Sequence, residues 1–287
     1  MKALVIARLT FREALRKKMI WGVLHLSIAF VVVYYWGFTL VRDDFLRSNP
    51  GGATPARGTR PILTLDLVAA ILVSLGYYTI NFLAGVMTIF AAVGAVSGEV
   101  EAGTFQAVVP KPLARWEIVV GKYLGFAGMI ALYIALMAAD VVVTSHLVTG
   151  YAPANYLGPT ALVVLVSLIL LALTILGSTV LPTMANGVVV FMLYGMALLG
   201  GLLEQVGSVL LIRTLETVGL ITSLLLPSDV IWQLANTVLR PDLSLRLGGP
   251  VPIATAAAPS QAMVNYALGY VVAMLAASVL VFRRKDL

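Results

Sequence analysis

The chain has no cysteine, two histidines and few charges: only 11% of its 287 residues are Asp, Glu, Lys or Arg. Each shortage excludes a class of chemistry. Without cysteine there are no disulfides, no thiol nucleophile and no thiolate-bound metal. His25 and His146 lie far apart on different apolar runs, and no HExxH pair occurs. A histidine-based metal or catalytic site would need those two runs to converge, so no metal site and no catalysis are expected. Gly94-Ala-Val-Ser97-Gly98 has the spacing of a serine-hydrolase turn but not its strand–turn–helix setting, and reads as a small-residue packing face. Gly121-Lys122 is the nearest thing to a phosphate loop, and Tyr123 stands where Ser or Thr is needed. The chain is not expected to hydrolyse ATP by itself.

The low charge also excludes a soluble globular domain, in which about a quarter of residues are charged. Apolar residues make up 60% of the chain, with a mean hydropathy of +0.99. Six runs are long enough to cross ~30 Å of hydrocarbon as helices: Met19–Val41, Leu67–Val96, Ile118–His146, Pro159–Leu181, Gly187–Leu203 and Ala262–Phe282. Their apolar character is continuous rather than alternating, which selects helices over a barrel. The expectation is an all-α integral membrane protein, with a basic segment over 1–18 and a six-helix domain over 19–287.

Basic residues set the orientation. The termini, the 97–117 loop and Lys122 just beyond it hold twelve of the nineteen Lys and Arg against five acids, whereas the opposite side balances seven against seven. The positive-inside rule puts both termini and that loop in the cytoplasm. The same asymmetry accounts for the pI of about 9.6 without nucleic-acid binding. Arg8, Arg12 and Arg16 recur every fourth residue beside Leu4, Phe11 and Leu15. Residues 2–18 are therefore either a helix lying on the membrane surface or a simple polybasic topology signal. Over the long outer loop, 204–261, Val218–Leu226 is too short to cross, and Pro227-Ser228-Asp229 ends it and opens another helix. Short helices leaning on the outer leaflet are expected there.

Within the spans polar candidates are few. Asn81 lies centrally and either lines a polar cavity or pairs with another helix. His25 is expected to hydrogen-bond a neighbouring helix. Asp140 falls near the outer headgroups, as a functional carboxylate or as an interfacial one reaching for water.

The loop between spans two and three is the densest polar segment. Span two should protrude inward and reach Glu99 and Glu101, with Gly103 redirecting the chain and Thr104 capping a short helix. Phe105, Val108 and Val109 would give that helix an apolar face, and Pro110 and Pro112 would end it. Either it is a knob gripped by a cytoplasmic partner, or an amphipathic loop resting on headgroups.

Glu99-x-Glu101-x-Gly103-Thr104, Pro112-x-x-Arg115 and Gly121-Lys122 together resemble the loop between spans two and three of type-2 ABC transporter permeases. Leu226-Pro227-Ser228-Asp229 resembles that family's Pro-x-Asp step, and Phe282-Arg283-Arg284-Lys285-Asp286-Leu287 its usual ending. Nearest in character is the branch with the membrane subunit for nitrous-oxide-reductase maturation, although no Met or His cluster for copper is seen.

The resemblance implies the membrane subunit of an ATP-driven exporter in the cell membrane, working with a separate cytoplasmic ATPase. Two permease copies and two ATPase subunits would assemble, and the ATPase would hold ATP and Mg²⁺, leaving this chain without a cofactor. The coupling contact would comprise Glu99, Glu101, Gly103, Thr104, Phe105, Lys111, Pro112 and Arg115. Lys111 and Arg115 are candidates for pairing with ATPase acids or anionic lipid. Pro182, Thr183 and Asn186, in the turn after span four, would make a second contact. Asn81 and His25 are candidates for the translocation path. The alternatives are an ion-driven carrier or a non-transporting scaffold.

Overall fold

Backbone amides in hydrocarbon must bond within their own segment, and the described spans meet this demand as helices. The computed structural model describes residues 2–48, 65–101, 114–239 and 261–284, and all their regular elements are α-helical. In chain order these are α1 (Lys2–Ala14), α2 (Lys18–Ser48), α3 (Leu65–Ala92), α4 (Ser97–Glu101), α5 (Arg115–Thr149), α6 (Leu157–Val180), α7 (Thr183–Leu210), α8 (Arg213–Leu225), α9 (Ser228–Leu239) and α10 (Gln261–Arg284). Six of them are long and apolar enough to span, at the six positions expected, with α3 and α4 making one broken span.

Local chemistry sets the ends. Glu117 accepts the Ala114 amide at 3.1 Å and so closes the first turn of α5. Gly150, at φ 74°, ends α5 in the left-handed conformation that a residue with a Cβ resists. Pro182 cannot donate to a preceding turn, so α6 stops just before it and α7 starts just after. Span one outruns its expected end: α2 continues through Arg42, Asp43, Asp44 and Arg47 to Ser48. Its 31 residues make about 46 Å of helix, so the last turns stand clear of the hydrocarbon.

Helix α3 is the axis of the bundle. Its apolar stretch is 67% buried against 17% for α2 and for α10, which lie at the periphery. α3 packs on α5, α6 and α7, while α2 leans on α3 and α5 and α10 on α5 and α6. Ser27 and Tyr133 join α2 to α5 through a buried hydroxyl pair at 2.6 Å.

The segment after span five departs from expectation. α7 runs to Leu210, and α8 then turns back and packs along it. Small residues permit this close return: a Cβ at Gly219 would lie 2.5 Å from that of Glu204, and one at Gly207 would lie 2.8 Å from the Glu216 amide nitrogen. At Leu226-Pro227 the chain bends by 105° into α9. α9 is enclosed by α3, α6, α7 and α10, with Trp232 edge-on to Tyr78 at 5.6 Å. Asp229 and Gln233, both buried, bond to each other at 2.7 Å. The Pro-Ser-Asp step does separate two helices, α8 packed along α7 and α9 enclosed by the bundle.

Candidate functional site

Span two does not run unbroken to Val96. It unwinds at Val93 and re-forms as α4, giving an elbow over 93–96. An unwound stretch among packed helices needs outside partners for its backbone, because an unpaired buried amide group costs about 1–3 kcal/mol. Four side chains from different parts of the chain supply them. Lys17, between α1 and α2, donates to the Ala91 carbonyl at 3.2 Å. Asn186 of α7 donates to the Val93 carbonyl at 2.7 Å. Lys122 of α5 donates to the Ala95 carbonyl. Ser178 of α6 accepts the amides of Val96 and Ser97 at 2.8 and 3.0 Å.

Two cations at the carboxyl end of a long helix also match its dipole. Their charge is managed locally. Lys122, buried, meets the Glu99 carboxylate at 2.5 Å. Lys17 lies over the Phe126 ring, 5.4 Å from its centre. Burial lowers the Lys17 pKa from its ordinary value, while the Glu13 carboxylate pulls it back up.

The elbow is also tied to the helices that follow it. Glu101 accepts the Thr183 amide at 3.0 Å and its hydroxyl at 3.1 Å, capping the start of α7 with a carboxylate. Such a cap contributes about 1 kcal/mol. Ser97 Oγ meets Thr183 Oγ1 at 2.9 Å. Asn186 also donates to the Thr174 carbonyl at 3.0 Å, so one amide clasps α3, α6 and α7. Packing leaves no slack: a Cβ at Gly177 would lie 2.1 Å from Asn186 Oδ1, and one at Gly94 would lie 3.2 Å from Thr183 Cγ2. Gly94 is thus the packing residue its pattern indicated.

Arg115 opens α5 and turns to the last turn of α10. Its Nη1 donates to the carbonyls of Phe282 and Arg283, both at 2.9 Å, and its guanidinium faces the Phe282 ring. It therefore caps the carboxyl end of α10. Both described chain ends and the elbow consequently share one end of the bundle.

Of the residues named from sequence for two contacts, Glu101 bonds Thr183, and Asn186 bonds Val93 of the elbow. Pro182 is exposed beside it. Gly103, Thr104, Phe105, Lys111 and Pro112 lie outside the described residues. Asn81 and His25 are not brought together. Asn81 is buried in α3, and among the described residues its side-chain oxygen has no hydrogen-bond partner. His25 is exposed on α2 and bonds the Trp21 carbonyl of its own helix at 2.6 Å, rather than a neighbouring helix. Lys17 and Ser178 were not singled out by sequence reasoning. The signals were present: a basic residue where two helices join, and small polar residues level with Gly94 and Ser97.

A bundle of this kind defines a multi-pass helical membrane protein. The chain belongs to the ABC-2 family of transporter proteins: the model of that family, described as ABC-2 family transporter protein, matches residues 4–287. It is a permease of an ABC transporter, from a family that normally works with an ATPase partner. No curated protein sequence matches the chain.

Proposed function

We propose that this permease transmits work from a separate cytoplasmic ATPase to the membrane through the elbow at 93–101. The observation that carries this reading is the set of bonds converging there. Force on the segment after Glu101 would reach α5 through Glu99–Lys122, α7 through Glu101–Thr183 and α6 through Ser178. Arg115 would carry it to α10 at the far side of the same segment. A loop resting passively on headgroups has no need of such connections.

The excess of Lys and Arg at this end supports a cytoplasmic orientation for it, hence cytoplasmic termini in the plasma membrane. In the working assembly two permease copies meet in the membrane and two ATPase subunits grip the segments containing Gly103–Phe105. ATP and Mg²⁺ bind to those subunits. Closure of the ATPase dimer moves the elbows, and the long helices attached to them open a path for export.

The test is co-expression with a candidate ATPase that carries a Walker A motif and no spans, followed by purification and measurement of ATP turnover. A stable complex with permease-dependent turnover is expected. The Glu99→Ala, Gly103→Pro double variant should retain assembly and lose that dependence. Unaltered turnover in the double variant would overturn the elbow as the coupling element.

A further inference from the structure

The arginine-bearing flank of α1 has no role in the elbow. α1 crosses α5 at Gly121 and Gly125, where a Cβ would lie 2.8 Å from the Ala3 carbonyl oxygen and 2.5 Å from that of Ala7. This contact sets the depth of α1. Charged residues of α5 stop at Lys122 and do not reappear until Asp140, so α1 crosses where hydrocarbon begins. Exposed Trp21 and Trp116 mark the same end.

Beside the crossing, an open cleft of about 540 Å³ lies between one flank of α1 and the outer face of α5. Arg8 and Arg12 form its polar edge, and Phe11, Leu15 and Leu124 its apolar floor, with Gly125 leaving room between the helices. Both arginines are exposed, and among the described residues neither has an ion-pair or hydrogen-bond partner. Spaced one turn apart, they face the same way. Glu13 lies roughly 100° or more around the helix from both, and its field acts on Lys17.

We propose that this cleft is a binding site for one anionic phospholipid. Its phosphodiester lies between the two guanidiniums, which donate to phosphate oxygens from a planar fork better than ammonium groups do. One acyl chain runs down over Leu124 and Leu15. Charge and apolar surface at one depth match a lipid and not a soluble anion, which would leave the floor wet. Holding a lipid here would fix α1 against α5, next to Lys17 and Lys122.

The experiment is native mass spectrometry of the full chain, purified in mild detergent and offered equal phosphatidylglycerol and phosphatidylcholine. Retention of one phosphatidylglycerol per chain is expected. Arg8→Ala with Arg12→Ala should lower that retention at least about tenfold, with the melting temperature unchanged because both side chains are exposed. The charge-matched Arg16→Ala, Lys18→Ala pair, outside the cleft, should lower it by less than about twofold. Leu124→Ser, which leaves the charge alone, should also weaken retention.

Equal loss in the two charge-matched pairs would mean diffuse attraction and overturn the site. Displacement by inorganic phosphate, but not by chloride at the same ionic strength, would assign the arginines to a free anion and overturn the lipid.

Discussion

Lys122 lies 2.5 Å from the Glu99 carboxylate while also donating to the Ala95 carbonyl, so one ammonium closes the elbow from both ends. The pair links the start of the sequence motif after span two to the Gly-Lys that ends it in span three. Glu99 is 34% exposed and Lys122 8%, so the cation needs its partner more than the anion does. Removing one member of a fully buried pair costs about 3–5 kcal/mol, and the exposure of Glu99 brings this nearer 1–2 kcal/mol. Glu99→Ala is expected to lower the melting temperature in detergent. Lys122→Met on that background removes the stranded cation but also the donor to the Ala95 carbonyl, so it should recover only part of the loss. A double variant no better than the single would show that the pair is not coupled.

Asn186 is the clasp among three helices, and leucine nearly matches its volume without donating. Asn186→Leu would leave the Val93 carbonyl unpaired at a cost of about 1–3 kcal/mol, and would remove the second bond to the Thr174 carbonyl within α6. Hydrogen exchange of amides 93–98 should accelerate by at least tenfold, with the outer half of α3 unaffected. Unchanged exchange at the elbow would remove Asn186 from this role.

Arg115 caps α10 with a single nitrogen on two carbonyls, and lysine is expected to replace it poorly. Arg115→Gln should fray the last turn of α10, seen as faster exchange over 279–284. ATP turnover in the assembled transporter should also become less dependent on the permease. If α10 stays protected, the cap is not what orders it.

Gly125→Ala places a methyl 2.5 Å from the Ala7 carbonyl oxygen, and backbone cannot move aside as a side-chain tip can. α1 is expected to lift from α5, raising tryptic cleavage at Arg8 and Arg12 several-fold. The neighbouring Gly128, with nothing within 4 Å of its Cβ, is the control: Gly128→Ala should be silent.

Much of this was legible in the residues. Six spans follow from apolar run length, because hydrocarbon leaves a chain no other way to bond its backbone. That span two reaches Glu99 and Glu101 at its inner end could also be read in advance. The break at Val93 could not. Gly94, Ala95 and Val96 continue an apolar run, and only the distant Lys17, Asn186 and Ser178 make unwinding tolerable there. The bent helix pair after span five was hidden for a related reason. Val218–Leu226 is too short to cross, but length alone does not say whether a short helix rests on a surface or slides along α7 through Gly200, Gly207 and Gly219. His25 resembled an interhelical donor in sequence, and the rotation of α2, which points it outward, is set by packing.

The most direct test uses the natural absence of cysteine. Thr104→Cys introduces the sole thiol, in the segment the ATPase is proposed to grip. Labelling by a membrane-impermeant maleimide is expected in inverted vesicles and not in intact cells, and bound ATPase should suppress it at least several-fold. Labelling from outside the cell, or labelling in inverted vesicles that is indifferent to the ATPase, would contradict the account.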